Sequence, residues 1–263
     1  MQLDGNLNFE RAGNRAGRTL LLVHAMGADL TFWESCRSVW EPHLECVAID
    51  QRGAGRSPAS PAPLSPADHA ADLAAFCQRE SLGPVVVIGC AVGAMAAALL
   101  AARRPDLVEM LVLSNPGYRI DEAARSALAT RAATARAGGM AAILPAATSA
   151  AFEGCPDDER QRAYVARFAA LDPQAYALQI EGMLEADISA VAGSITCPTL
   201  IVAGGRDRLL PARHAEAIHA AMPGSRLVRF EDGAHFIPYQ QPERFAHEVL
   251  TFIAQAAGGT ADS

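Results

Sequence analysis

No lysine occurs anywhere in the 263 residues, so all 22 basic side chains are arginines, set against 29 acidic ones for a net charge of −7. No basic cluster offsets that acidity, which argues against nucleic acid as a partner. Hydrophobic residues make up 51% of the chain, yet Gly, Pro or charge interrupts every apolar run before about 18 residues, so no transmembrane helix is expected. The first residues, Met1-Gln2-Leu3-Asp4-Gly5-Asn6, carry neither a basic stretch nor an apolar one, and no secretory signal is expected there. The six cysteines (Cys36, Cys46, Cys77, Cys90, Cys155, Cys197) form no C-x-x-C pair. That scatter excludes a disulfide framework and a zinc site, and fits reduced core thiols of a cytoplasmic protein. Internal repeats are absent too.

What is present is an alternation of strand and helix signals. It predicts an α/β fold, a mostly parallel sheet with helices on both faces. Strands are expected over Thr19–Val23, Glu45–Asp50, Pro84–Ile88, Glu109–Ser114, Thr199–Ala203 and Ser225–Phe230. Between Gly117 and about Ala192 the rhythm stops, and an Ala- and Arg-rich stretch of helical period takes over. The expected organisation is a core over 1–117 and 192–263 with a helical cap inserted over 118–191, a size that buries a substantial core. Ser57 to Pro66 reads as a proline-rich loop and Gly258 to Ser263 as a frayed tail.

One further absence is a single oxygen atom. The apolar run Val85-Val86-Val87-Ile88 ends at Gly89-Cys90-Ala91-Val92-Gly93, and a helix of small residues (Ala94 to Ala102) follows. The glycines have the spacing of the strained strand-to-helix turn G-x-Nu-x-G, in which two backbone segments pass so closely that only small residues fit. The centre should be Ser, Cys or Asp, and it is Ala91. Either the residue was replaced to give an inert, substrate-trapping form, or the lineage has given up covalent chemistry. Cys90 is no substitute, because the residue before the centre points into the core.

The other pieces of the constellation fall at expected strand ends, where an open α/β sheet places its site. His24-Ala25-Met26-Gly27 is a loop of small residues able to aim a backbone N–H at a developing oxyanion. The Met26 and Val92 amides are the expected pair. Asp207, in Gly204-Gly205-Arg206-Asp207-Arg208, and His235, in Asp232-Gly233-Ala234-His235-Phe236, complete the chain order nucleophile position, acid, base. In such a triad the carboxylate fixes the imidazole tautomer while the imidazole takes the nucleophile's proton. His24 is read as a loop-organising residue rather than a base, and Asp50 as the organiser of the Arg52–Ser57 turn. Trp33 is expected to pack beneath the oxyanion loop. His43, His69, His214, His219 and His247 lie on helical or surface patterns and are expected to be exposed.

Taken together, these residues resemble the α/β-hydrolase superfamily over essentially the whole chain. Four motifs agree in order: the His24 loop, Asp50-Gln51-Arg52-Gly53-Ala54-Gly55-Arg56-Ser57, the turn at Ala91, and the Asp207/His235 pair. Within the superfamily the chain is similar to the 3-oxoadipate enol-lactonase group. Met26-Gly27-Ala28-Asp29 with Trp33, Leu113-Ser114-Asn115, and the cap segment Gly138-Gly139-Met140-Ala141-Ala142-Ile143 carry that likeness. It departs at Ala25, at Ala91, and at Ala150-Ala151 before Phe152, where the group tends to carry Arg-Trp. The resemblance implies hydrolysis of a small ester or lactone through an acyl-enzyme, with no metal or organic cofactor and a small molecule as partner. The substrate-contacting set is expected to be His24, Ala25, Arg119, Phe152 and Phe236. Arg119 is a cation at the cap entry, solvated or a substrate clamp. The missing Arg argues for a neutral or monoanionic substrate with some apolar bulk. Rival readings are a non-catalytic ligand-binding protein and a carbon–carbon hydrolase or haloperoxidase-like enzyme built on the same triad.

Overall fold

The computed structural model describes residues 6–258. Seven strands form one sheet in the order β1-β3-β2-β4-β5-β6-β7. They are β1 (Phe9–Gly13), β2 (Thr19–Val23), β3 (Glu45–Ile49), β4 (Val85–Cys90), β5 (Val108–Ser114), β6 (Thr199–Gly204) and β7 (Arg226–Phe230). All neighbours are parallel except β1, which runs antiparallel on the outer edge of β3. The six parallel strands are those expected from apolar runs. β1 was not expected, because Phe-Glu-Arg-Ala-Gly is half polar and half exposed, as an edge strand is when only one face is covered. A buried carboxylate pins it: Glu45 at the start of β3 accepts from Arg11 of β1 at 2.7 Å and from the Thr19 hydroxyl of β2 at 2.8 Å.

Strand residues alternate between two cores. Leu20, Leu22, Ala48, Val86, Ile88, Val112 and Val202 face one layer, and Leu21, Val23, Val47, Val87, Leu111 and Ile201 face the other. The first layer contains α1 (Glu34–Trp40) and the long C-terminal helix Pro242–Gly258, with Trp33, Trp40 and Phe245 packed ring on ring between them. The second contains α2 (Pro66–Arg79), capped by a reciprocal Ser65–Asp68 box, and α3 (Val92–Arg103). The expected tail lies outside the described residues beyond Gly258, as do residues 1–5. Among the described residues no helix is long and apolar enough to cross a membrane.

The region read as a cap is helical: α4 (Glu122–Gly138), α5 (Met140–Ala151), α6 (Glu159–Ala169) and α7 (Pro173–Met183). Asp121, Asp158 and Asp172 cap α4, α6 and α7 by accepting from the third amide of each helix. Its two ends meet in a short antiparallel seam. Ile120 N–H donates to Ala186 O, Ile188 N–H donates to Tyr118 O, and Arg119 pairs with Asp187.

Strand order reverses around β2 and β4. The loops leaving these neighbours, paired Val23 to Gly89, depart in opposite directions and open a crevice at their C-terminal ends. The cap lies over that crevice.

Candidate active site

The turn between β4 and α3 has the strained geometry that its sequence suggests. Ala91 sits at φ 51° and ψ −112°, a left-handed conformation that a residue with a Cβ adopts only under constraint. The constraint is backbone packing. A Cβ on Gly89 would lie 2.3 Å from Gly93 O, and one on Gly93 would lie 2.3 Å from Val23 O. Strand β4, helix α3 and strand β2 therefore touch main chain to main chain. The Ala91 N–H donates to Ser114 O at 3.0 Å, tying the corner to β5. Cys90 is fully buried beneath it, and burial pushes its thiol well above the ordinary range, so it stays a protonated core residue.

The His24 loop lies beside this corner. His24 is buried, with Nδ1 2.8 Å from Ala25 O and Nε2 accepting from the Gln51 amide at 3.0 Å. Both nitrogens are thus occupied by main chain. His24 braces the loop and does not reach the main cavity, and neither does the fully buried Ala25. Burial also pushes the His24 pKa down, consistent with a neutral ring. The Gly27 amide donates to Gln179 of α7 at 3.1 Å, and the Gln179 side-chain amide donates to Gly53 O at 2.8 Å. Gly27 has φ 73°, and a Cβ there would lie 2.9 Å from the Phe168 ring. One cap glutamine therefore holds the loop and the Arg52–Ser57 turn together. Among the described residues, the Met26 and Val92 amides have no hydrogen-bond partner. Asp50 accepts from the Leu30 amide at 2.7 Å and the Arg56 amide at 2.8 Å, so it organises this turn.

Asp207 and His235 meet at the ends of β6 and β7. His235 Nδ1 lies 2.9 Å from Asp207 Oδ2 and 3.1 Å from Oδ1. Asp207 Oδ1 also accepts from the Leu209 and Leu210 amides, each at 2.9 Å, and Oδ2 accepts from Asn115 Nδ2 at 2.9 Å. Burial by itself would raise the Asp207 carboxyl. The facing His235, the Leu210 amide and Asn115 outweigh it and hold the pKa below the usual carboxylate range. The Asp207 side chain is 0% exposed and that of His235 8%, so the pair is sheltered from water but reaches the cavity through the imidazole. The cap anchors the base as well: His235 N–H donates to Ala151 O at 3.2 Å, at the end of α5.

Ala91, Val92, Met26, His235 and Phe236 line one cavity of about 390 Å³ between sheet and cap. Its far walls are apolar cap residues, including Leu128, Tyr164, Phe168 and Tyr176. Phe152 stands one layer back, packed on Tyr164 at 5.3 Å and on Phe236 at 6.0 Å. Arg119 is exposed on the seam at the cap base and does not line the cavity. The lining cations are Arg131, Arg208 and Arg213. Arg208 pairs with Glu153 at 2.8 Å and Arg213 with Asp121 at 3.6 Å, whereas among the described residues Arg131 has no carboxylate partner. It shares one face of α4 with Ala123, Ala124, Ala127 and Leu128.

Three histidines expected to be exposed are not, His69, His214 and His219, the last half-buried with Nδ1 2.8 Å from the Ser225 hydroxyl. His69 is buried behind the His24 loop, where burial pushes its pKa down to about 4. His214 is half-buried, lines the cavity and accepts from the Tyr118 amide at 3.2 Å. Helical or surface patterns suggested solvent for all three, and packing of α2 and of the helix Arg213–Ala221 against the core removes it. Asn115 and Gln179 received no role from sequence, because what each amide braces is set by packing and not by its neighbours in the chain. The positive φ of 48° at Asn115, at the end of a buried strand, marks it only in the structure.

Comparisons with known proteins place the chain in a family. A model of the alpha/beta hydrolase family matches residues 20–248. A putative carbamate hydrolase, RutD of Klebsiella pneumoniae (strain 342), is 28% identical over 239 residues, covering 87% of this chain and 88% of the relative. A thermophilic esterase of Thermogutta terrifontis, solved with malate bound, superimposes with TM-score 0.86 at 26% identity, over 95% of this chain and 93% of that one. The enol-lactonase of Burkholderia xenovorans LB400 shares the fold with TM-score 0.87 at 24% identity, over 94% and 96%. The match over most of the chain, on a sheet whose strand ends carry a strained turn, an acid and a base in that order, makes this protein a member of the alpha/beta hydrolase family.

Proposed function

We propose that this chain is a hydrolase-fold protein for a small ester or lactone in which the acyl-enzyme route is closed by Ala91. The observation that carries the reading is that Ala91 and the Asp207-paired His235 open onto one cavity beside two unpartnered amides. With a serine at position 91, His235 Nε2 would take the hydroxyl proton as Oγ attacks the carbonyl. Asp207 would hold the imidazole in its Nδ1–H tautomer, and the Met26 and Val92 amides would receive the oxyanion. Water would then release the acyl group by the same base. As the chain stands the site binds substrate and forms no ester with itself.

The cavity walls favour a substrate with some apolar bulk, neutral or singly charged. An ester, a lactone or a carbamate would present the same trigonal carbonyl to the amides. A carboxylate, if the substrate has one, would meet Arg131 rather than Arg119.

Substitution Ala91→Ser tests the reading. Loss of the serine in subtilisin costs about 2 × 10⁶ in kcat, so a gain of at least about 10³-fold is expected here on p-nitrophenyl acetate or a simple lactone. A folded variant inert across esters, lactones and carbamates would overturn the reading.

A further inference from the structure

The site as it stands retains a base and an oxyanion pocket with no side chain to activate, and that combination has a chemistry of its own. We infer that the unaltered chain hydrolyses its substrate without a covalent intermediate, His235 activating a water molecule that attacks the carbonyl directly. The inference rests on the proposed ester or lactone reading and goes beyond it, because it assigns turnover to the form that carries Ala91.

Three observations carry it. First, the base is poised and idle. Its Nδ1 is committed to Asp207, which leaves the lone pair on Nε2, and among the described residues Nε2 has no hydrogen-bond partner. Second, the electrophilic half is intact. The backbone contacts of Gly89 and Gly93 hold the turn, so the Val92 amide keeps its place without help from a hydroxyl. Third, among the described residues that line the cavity, no hydroxyl, phenol or carboxylate is fit to replace the missing nucleophile. The Thr148 hydroxyl donates to Leu144 O at 2.7 Å. Burial pushes the Tyr164 and Tyr176 phenols up, keeping them protonated. Asp121 is held by Arg213 and by the Ala124 amide it caps. Cys90 lies beneath the turn and does not line the cavity. A methyl group at position 91 leaves room beside the imidazole for an oxygen the size of the absent hydroxyl, and water supplies that oxygen.

The step balances without any other reactant. A water O–H proton passes to His235 Nε2 as the water oxygen bonds to the carbonyl carbon. The carbonyl π pair moves onto its oxygen, which the Met26 and Val92 amides receive. Collapse breaks the carbon–oxygen bond to the leaving group, and the imidazolium returns its proton to the departing alkoxide. An acid and an alcohol leave, or one hydroxy acid from a lactone, and His235 is neutral again. Asp207 stays ionised throughout.

The test compares the unaltered chain, His235→Gln and Ala91→Ser on p-nitrophenyl acetate and on an unactivated phenyl ester, followed by rapid mixing and by intact mass after acid quench. A protease stripped of a triad member keeps about 10³–10⁴-fold over water, and the same range is expected of the unaltered chain. Its progress curves should be free of a burst, insensitive to phenylmethylsulfonyl fluoride and without an acyl adduct. His235→Gln should lower the rate about 10²-fold. Asp207→Asn should lower it as well, which keeps the test decisive if the first variant folds poorly. Ala91→Ser should gain a burst and sensitivity to the sulfonyl fluoride. An unaltered chain no faster than His235→Gln or Asp207→Asn, beside an active Ala91→Ser, overturns the inference and leaves the hydrolase reading standing. An acyl adduct on any side chain of the unaltered protein also overturns it. Inertness of both the unaltered chain and Ala91→Ser defeats the hydrolase reading itself.

Discussion

The turn between β4 and α3 and the corner at the ends of β6 and β7 are held by different kinds of contact. At the turn, main chain packs on main chain: Gly89 against Gly93, and Gly93 against Val23. At the corner, side chains hold side chains, with Asp207 gripped by Asn115, two amides and His235. A turn fixed by its glycines does not depend on the side chain at its centre, so Ala91 keeps the strained φ of 51° with no hydroxyl to reward it. A corner fixed by hydrogen bonds depends on every partner. Chemistry can therefore be deleted at the first place without disturbing its geometry, while at the second place geometry and chemistry go together.

That contrast is sharpest in Asp207→Asn placed in the Ala91→Ser background. An asparagine keeps the shape and can still accept from the Leu209 and Leu210 amides. It cannot hold His235 in the Nδ1–H tautomer as a carboxylate does, and kcat should fall about 10⁴-fold, far out of proportion to the roughly 1 kcal/mol of stability lost with the hydrogen bond from Asn115. The matching experiment at the turn is Gly93→Ala. One methyl group would lie 2.3 Å from Val23 O and 2.5 Å from His24 O, so β2 and α3 must separate. A loss of about 1–3 kcal/mol is expected, read by denaturant or thermal unfolding. The two losses should differ in kind, turnover in one and stability in the other. If Asp207→Asn unfolds the protein while Gly93→Ala is tolerated, the comparison breaks. Gln179→Ala is the smallest of the three. It removes the link from α7 to the Gly27 amide and to Gly53 O, a cost of about 1 kcal/mol for a modest hydrogen bond. In the Ala91→Ser background, kcat should fall about 5–10-fold with KM for a small ester little changed, because the oxyanion loop and not the apolar wall is loosened.

How much of this was legible in the sequence follows the same division. Largely apolar runs gave six strands, and five of them are buried along almost their whole length, as strands covered on both faces are. The half-polar β1 escaped because its pairing with β3 is fixed by Glu45, a contact 34 residues away from Arg11. Ala91, Asp207 and His235 could be singled out because each sits in a short motif at a strand end. Arg131, Asn115 and Gln179 could not, because their places depend on how α4, β5 and α7 pack. Arg119 looked like the cap-entry cation from its position after β5, yet the seam with Asp187 turns it outward. His69 looked polar and exposed from its neighbours in α2, and the helix face that carries it is the buried one.

The central claim is that the site is complete apart from one oxygen atom. The most direct measurement is active-site titration of Ala91→Ser with a fluorophosphonate, alongside the unaltered chain. One phosphonyl group per chain, attached at position 91, is expected in the variant and none in the unaltered protein, with labelling abolished by adding His235→Gln. A folded Ala91→Ser variant that takes up no phosphonate, or takes it up equally without His235, would contradict it.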